Sequence, residues 1–133
     1  MKQFNVGVKA VVATNRGVLL LRTNQDRGDR WEFPGGRIDG DEDFADTIRR
    51  ELSEEVPGTE LIAVDELLGA YRLPRDIAQD LSLVLLFYKV TATVPSDVVL
   101  SDEHVGHMWV TSKKDIPENL APHLVPVLEQ VLP

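Results

Sequence analysis

Residues 49–55 read RRELSEE, which is the most informative stretch of the chain. An α-helix turns about 100° per residue, so Ile48 and Leu52 share one apolar stripe. The three glutamates of RRELSEE share a separate arc beside that stripe. The sequence therefore predicts a central helix that presents three carboxylates at the rim of a core.

Glu51, Glu54 and Glu55 repel one another, because their i, i+3 and i, i+4 spacing makes them neighbours on the helix surface. One interpretation is a solvated acidic face, which is what most charge runs are. The other is a site for a hard cation, since magnesium takes oxygen ligands from one or two carboxylates plus substrate phosphates. In that site a remaining carboxylate can take a proton from water.

The elements around this helix predict a mixed α/β fold in a single domain, residues 1–133. Acids at 41–43 favour a helix start, and Pro57 with Gly58 predicts its end near Val56. The apolar spacing of Leu120–Leu132 predicts a closing helix. Strands are predicted at Val6–Ala13, Val18–Leu21, Trp31–Phe33, Thr59–Tyr71, Leu81–Thr93 and His107–Val110.

Composition excludes several classes of protein. The chain carries 14 basic and 22 acidic side chains, a net charge of -8, which argues against binding duplex nucleic acid. The absence of cysteine excludes disulfides, a thiol nucleophile and cysteine metal ligands. No apolar run reaches the roughly 18 residues of a membrane span, and Met1–Val6 lacks a signal-peptide pattern. We therefore expect a cytoplasmic protein without a membrane segment. Composition leaves its oligomeric state, monomer or homodimer, open.

The spacing around the helix matches a known motif. Gly36 is followed by five residues and Glu42, and then by seven residues and RELSEE at 50–55. This arrangement resembles the box of the Nudix hydrolase family, and WEFPGG at 31–36 resembles its MutT-like branch. The resemblance implies a Nudix-type α/β/α sandwich with a mixed β-sheet, one central box helix and a C-terminal helix. Val-Pro-Gly at 56–58 departs from the usual order after the box, so the helix is expected to end one residue early.

The resemblance also implies an activity, the metal-dependent hydrolysis of a nucleoside diphosphate linked to another moiety. Magnesium is the expected cofactor, with manganese as an alternative. The WEFPGG lead-in favours a nucleoside triphosphate, released as monophosphate and pyrophosphate. Pro74 resembles a proline of ADP-ribose hydrolases in the family, so an ADP-ribose or nucleotide-sugar pyrophosphatase stays open, as does a non-catalytic nucleotide-binding module.

Site residues follow from the same resemblance. Arg50 is expected to orient the acids, although a surface pair with Asp46 is an alternative, and Glu42 is expected to be structural, near Arg49. Glu103 lies in a loop before the Trp109 strand, where MutT-like members carry a further acid, but it could equally be an exposed loop acid. The implied catalytic residues are Arg50, Glu51 and Glu54. The implied metal ligands are Gly35, Gly36, Glu51, Glu54, Glu55 and Glu103.

Candidate substrate contacts each have a structural alternative. Arg22 and Arg37 are candidate phosphate partners or solvated arginines. Trp31 and Phe33 are candidates to stack on a base or to pack in the core. Asn119 could bind a purine edge or cap the last helix, and capping is the preferred interpretation.

Two further expectations concern loops and histidines. His104 and His107 lie three residues apart, which on a strand places them on opposite faces, so they are not predicted as a ligand pair. The residues that select the nucleotide are expected outside the box, in the loops at 24–30, 72–80 and 97–106.

Overall fold

The computed structural model describes residues 1–133, which form seven strands and two α-helices. The strands are β1 Gln3–Thr14, β2 Gly17–Thr23, β3 Trp31–Glu32, β4 Gly35–Arg37, β5 Glu60–Arg72, β6 Leu81–Thr93 and β7 His104–Val110. The helices are α1 Phe44–Glu55 and α2 Val125–Glu129. The sheet order is β3-β2-β1-β6-β5, with β4 paired to β1 and β7 to β2. Only β1 and β6 run parallel, so the sheet is mixed, as predicted.

Two cores lie on opposite faces of this sheet. Because strand side chains alternate, Val8 and Ala10 of β1 enter one core, whereas Val11 enters the other. Ile48 and Leu52 of α1 fill the first core, and α2 covers the second. Each fully buried aliphatic side chain contributes about 1.5–3 kcal/mol. The predicted α/β/α sandwich is confirmed.

Local capping fixes both ends of α1. The Asp43 carboxylate accepts a hydrogen bond from the Asp46 amide at 2.8 Å, and the Asp46 carboxylate accepts one from the Asp43 amide at 3.3 Å. This capping box stabilises the first turn. The helix ends at Glu55 with Val56 as its C-cap, and Gly58 turns the chain with a φ of +87°. The expected early end before Pro57 is confirmed.

The last helix is shorter than the predicted Leu120–Leu132. A 3-10 turn at Pro122–Leu124 precedes α2, which ends at Glu129. Pro122 and Pro126 have no amide hydrogen to donate, so each sits in the first positions of its turn instead of inside a long helix. The predicted apolar stripe is nonetheless buried at Leu124, Val127 and Leu128. Neither helix has the length and apolarity needed to cross a bilayer.

The strand β7 begins three residues before the predicted His107. Its first residue, His104, pairs with Thr23 of β2, and the pairing is irregular between Arg22 and Thr23. This extra length places the His104 side chain at the edge of the sheet next to β3. The difference matters for the site, because His104 lies next to Glu55 of α1. The predicted strand, which began at His107, did not place it there.

Candidate functional site

The three glutamates of α1 are graded from the core to the solvent. The side chain of Glu55 is 4% exposed, that of Glu51 is 14% exposed and that of Glu54 is 59% exposed. A simple solvated acidic face would leave all three carboxylates in water. The helix therefore points one acid into the protein, one along its rim and one outward.

Glu55 is held by the backbone of β4. Its Oε1 accepts a hydrogen bond from the Gly35 amide at 2.7 Å, and its Oε2 lies 3.8 Å from His104 Nε2. Burial raises the pKa of Glu55 to about 7, while the charge of Lys9 and the Gly35 hydrogen bond oppose that rise. The hydrogen bond from Gly35 therefore fixes the orientation of the Glu55 carboxylate.

The two glycines of β4 allow close contacts that a side chain would block. A Cβ atom at Gly36 would collide with the Glu51 carboxylate, and one at Gly35 would collide with the Val8 carbonyl. Gly35 also has a φ of +142°, which favours glycine. Burial raises the pKa of Glu51, although its bond to Arg50 acts in the opposite direction. The backbone of β4 and the Glu51 carboxylate therefore face each other with no side chain between them.

Arg50 connects the acids of the motif. Its Nη1 donates to Glu51 Oε1 at 2.9 Å and to Glu54 Oε2 at 3.5 Å. Its Nε and Nη2 donate to the two carboxylate oxygens of Glu42 at 2.7 and 2.9 Å, and Nη2 also donates to the Arg37 carbonyl at 3.1 Å. The bidentate bond holds the pKa of Glu42 at about 2. This geometry fits the expected orienting role of Arg50.

Other expected partners of the motif are placed differently. Asp46 pairs with Arg49 at 3.5 Å and not with Arg50, and Glu42 contacts Arg50 instead of Arg49. Glu103 forms an ion pair with Arg27 at 2.8 Å, with about half of its side chain exposed. The structure does not bring the Glu103 carboxylate into the cluster around Glu55, so its role as a ligand stays a prediction.

A cluster that the sequence analysis missed lies beside Glu55. The ligand atoms of Glu32, Glu55 and His104 all lie within 4.8 Å of one another. His104 is almost completely buried, and its Nε2 lies 2.9 Å from Glu32 Oε2, while Lys9 Nζ lies 3.7 Å from Glu32 Oε1. The available sequence signal for Glu32 was strand alternation. It directs Glu32 to the opposite face of the strand from Trp31 and Phe33.

A cleft of about 450 Å³ adjoins this cluster through Glu32 and Lys9. Its apolar floor includes Phe33, which is fully buried, and Leu85. One wall carries Tyr71 and His123, whose rings stack 4.0 Å apart at 8°. The remaining lining residues are Arg30, Trp31, Leu73, Pro74, Arg75, Leu83, Ala121 and Leu124. This volume and mixed lining are typical of a small-molecule site.

Three predicted substrate contacts lie outside the lining of this cleft. Arg22 pairs with Asp29 at 2.7 Å and lies 6.0 Å from the centre of the Trp31 ring. Asn119 donates to the Asp29 carbonyl at 3.2 Å and caps no helix, so the preferred capping role is wrong. The Arg37 side chain is exposed and forms no ion pair. Of the five candidates, Trp31 and Phe33 contact the cleft.

The half-buried imidazole of His123 gives a pH-dependent prediction. Burial lowers the pKa of His123, and the charge of Arg30 adds to that effect. The unfolded chain then binds a proton at His123 first, so the contribution of His123 to the free energy of unfolding should fall as the pH drops through about 6.5. Protonation of Glu55, whose pKa is raised to about 7, acts in the opposite direction and is present in every variant compared. In urea unfolding at pH 8 and pH 5.5, His123→Phe should lose the fall that His123 contributes. The matched variant His107→Phe, at an exposed site, should retain all of it, and equal slopes in both variants would contradict the assignment.

Helix α1 with its glutamates, the glycine backbone of β4 and the adjoining cleft define a class, an α/β protein with clustered carboxylates beside a pocket of small-molecule size. The sequence matches the family model for the NUDIX domain over residues 2–131. The chain therefore belongs to the Nudix family. Proteins of this family generally use divalent metal ions.

Solved structures with this fold include MutT proteins. The MutT NUDIX hydrolase from Burkholderia pseudomallei aligns with a TM-score of 0.78 and 26% identity, covering 98% of this chain and 99% of that chain. The MutT protein from Methanosarcina mazei Go1 aligns with a TM-score of 0.76 and 24% identity, covering 97% and 93%. The expected MutT-like Nudix family is thus confirmed.

The curated relatives carry a more specific name. An RNA pyrophosphohydrolase of Acidiphilium cryptum is 39% identical over 83 residues, which are 55% of this chain and 47% of that protein. An RNA pyrophosphohydrolase of Saccharophagus degradans is 34% identical over 80 residues, which are 57% of this chain and 46% of that protein. The chain spans about half the length of the curated relatives that it matches.

Proposed function

We propose that this chain is a metal-dependent pyrophosphohydrolase that cleaves a nucleoside triphosphate to the monophosphate and pyrophosphate. The observation that carries the proposal is the arrangement of Glu51, Glu54 and Glu55, which Arg50 and β4 hold by hydrogen bonds. Glu55 lies against Glu32, and Glu32 lines the cleft. The cleft volume of about 450 Å³ suits a small nucleotide better than duplex nucleic acid. The whole chain would act as one domain, as a monomer or homodimer.

The donor set fits a divalent cation. Glu51, Glu54 and Glu55 would hold it together with a carbonyl of Gly35 or Gly36, because all of these donors are hard oxygens. The space that a Cβ atom of Gly36 would fill lies directly against Glu51. Burial raises the pKa of Glu51 and of Glu55, so negative charge at this place is costly until a cation offsets it. These donors favour Mg²⁺, with Mn²⁺ as the alternative.

Each residue of the site has a separate role in the proposed hydrolysis. A bound divalent ion supplies neutralisation of phosphate charge and a lower pKa for water. Glu51 has one oxygen bonded to Arg50, which leaves its second oxygen to accept a proton from the attacking water. Water adds to phosphorus, the anhydride bond breaks, and pyrophosphate leaves with the electron pair. Arg50 keeps Glu51 and Glu54 in place by charge-assisted bonds.

Magnesium should stabilise the folded protein. A ligand that binds only the native state at about 100 times its Kd adds about 2.7 kcal/mol to the free energy of unfolding. We therefore expect a clear rise in Tm on adding MgCl₂, measured by calorimetry against NaCl of equal ionic strength. A purely structural acidic helix predicts equal Tm values in the two salts, and that result would argue against the cation site.

The activity itself is tested with a nucleotide panel in the presence of Mg²⁺. The panel contains the nucleoside triphosphates, oxidised purine forms, ADP-ribose, a nucleotide sugar and a 5′-triphosphate RNA. A triphosphate should give the monophosphate and pyrophosphate, whereas ADP-ribose or a nucleotide sugar would give a nucleoside monophosphate and a sugar phosphate. Turnover of ADP-ribose alone would select the second candidate, which is favoured by Pro74 in the cleft lining. Absence of turnover for every compound would leave only a nucleotide-binding module. The presence of all three box glutamates argues against that module.

A further inference from the structure

A lysine is embedded in β1 among apolar residues at the inner end of the cleft. Its neighbours Val8 and Ala10 are fully buried, and the Lys9 side chain is only 16% exposed. Lys9 nevertheless lines the cleft, next to Glu32. A nearly buried ammonium in a protein with a net charge of -8 needs a physical reason, because desolvating an ammonium is costly.

The protein satisfies this ammonium incompletely. Lys9 Nζ donates one long hydrogen bond, 3.3 Å, to the Phe33 carbonyl. The nearest carboxylate oxygen, Glu32 Oε1, is 3.7 Å away, beyond hydrogen-bond range, and the other Glu32 oxygen is bonded to His104. An ammonium has three donors, so two of them have no partner in the protein. These donors lie where the cleft meets the acids.

The charge of Lys9 also acts on several acids of the site. Burial raises the pKa of Glu51 and of Glu55, and the charge of Lys9 opposes that rise. Against the effect of burial, the His104 hydrogen bond and the charge of Lys9 hold the pKa of Glu32 below its usual value. Lys9 therefore acts on both the strand acid and the helix acids.

A phosphate chain that entered the cleft would meet Glu32 and the helix carboxylates, all of which repel it. Arg30 and Arg75 also line the cleft, but Lys9 is the lining cation that lies against Glu32. A phosphate oxygen there would gain a charge-assisted hydrogen bond.

We propose that Lys9 binds a non-bridging oxygen of the substrate's phosphate chain, where the cleft joins the carboxylate helix. The proposal rests on the proposed function. It adds a protein side chain, in addition to the metal ion, as a group that binds the phosphate chain. The class of ligand it selects is a pyrophosphate ester, since a neutral ligand gains nothing from the ammonium. The competing role is an internal counter-ion for Glu32 and Glu55, which would act without touching substrate.

The test compares Lys9→Met, which keeps the length and removes the charge, with Lys9→Arg, which keeps the charge. Calorimetry measures the Kd of inorganic pyrophosphate in excess Mg²⁺ and, separately, the Kd of Mg²⁺ alone. Steady-state kinetics on the best substrate of the panel measures KM and kcat. The matched control is Lys114→Met in the exposed 3-10 turn at Lys113–Asp115.

A phosphate anchor predicts that Lys9→Met raises the Kd of pyrophosphate and the KM at least about tenfold, with a smaller change in kcat. Mg²⁺ alone should bind no more weakly, because a positive charge near its ligands has been removed. Lys9→Arg should recover part of the affinity, and Lys114→Met should match wild type. Should Lys9→Met fail to fold, Lys9→Gln replaces it.

Three outcomes distinguish this proposal from the proposed function. Unchanged pyrophosphate affinity in an active Lys9→Met enzyme would overturn the Lys9 assignment alone and favour the counter-ion role. A wild-type protein that turns over no nucleotide, but whose pyrophosphate binding is lost in Lys9→Met, would overturn the activity and support the anchor. Wild-type protein that does not bind pyrophosphate would overturn the anchor.

Discussion

Replacing Glu54 by glutamine is expected to lower the turnover number at least about tenfold while leaving the free energy of unfolding nearly unchanged. The side chain of Glu54 is 59% exposed, and its contact with Arg50 spans 3.5 Å. Exposed pairs of this kind contribute about 0–1 kcal/mol, so folding should hardly register their loss. The amide cannot supply the negative charge of a cation ligand. Turnover at saturating Mg²⁺ and urea unfolding without metal measure the two effects separately.

Glu66→Gln is the matched control, because Glu66 is an exposed glutamate of β5 without an ion pair. It should change neither turnover nor stability. Undiminished turnover in Glu54→Gln would refute the role given to Glu54. A loss of stability as large as the loss of activity would instead make Glu54 a structural residue of α1.

The helix and its acids could be predicted because their determinants are local. An apolar stripe at helical spacing, a cap residue and the Pro57-Gly58 stop all lie within the same short segment, and each acts through neighbours along the chain. The arc of three glutamates beside the apolar stripe followed from the same geometry. Their common position at the rim did not, because Glu55 is buried and Glu54 is exposed. Arg50, one residue before the first of the three glutamates, could likewise be expected to reach these carboxylates.

The cluster beside Glu55 could not be predicted in this way. Lys9, Glu32 and His104 come from β1, β3 and β7, and only strand pairing brings them together. His104 also depends on the irregular pairing between β2 and β7, which has no signature in a single sequence. The short α2 is a different case, because Pro122 and Pro126 are visible in the sequence and the apolar stripe outweighed them in the prediction.

The lining of the cleft shows why the identity of the substrate cannot be predicted from the sequence. Its stacked pair, Tyr71 and His123, joins the end of β5 to the turn before α2 across more than fifty residues. Pro74 and Arg75 come from the loop at 72–80, which was expected to contribute to nucleotide choice. The loop at 97–106 supplies no residue of the cleft lining. Nucleotide selection therefore depends on which distant loops the fold brings together.

Replacing Glu55 by glutamine is expected to have the largest effect of any single change at the site. We expect turnover to fall at least about 100-fold, because even partners behind metal ligands cost about 10–100-fold when removed. The rise in Tm caused by MgCl₂ should shrink in parallel. The metal-free protein should stay folded, since the glutamine carbonyl can still accept the Gly35 hydrogen bond and a buried negative charge is gone.

Glu55→Ala separates the two functions of this carboxylate. Alanine removes the acceptor as well as the charge, so the buried Gly35 amide is left unpaired at a cost of about 1–3 kcal/mol, and a cavity is added. Urea unfolding should therefore place Glu55→Ala well below Glu55→Gln, although both lack activity. If Glu55→Gln kept its turnover and its response to Mg²⁺, the buried acid would serve only to fix β4 on α1. The cation would then have to be held by Glu51 and Glu54 alone.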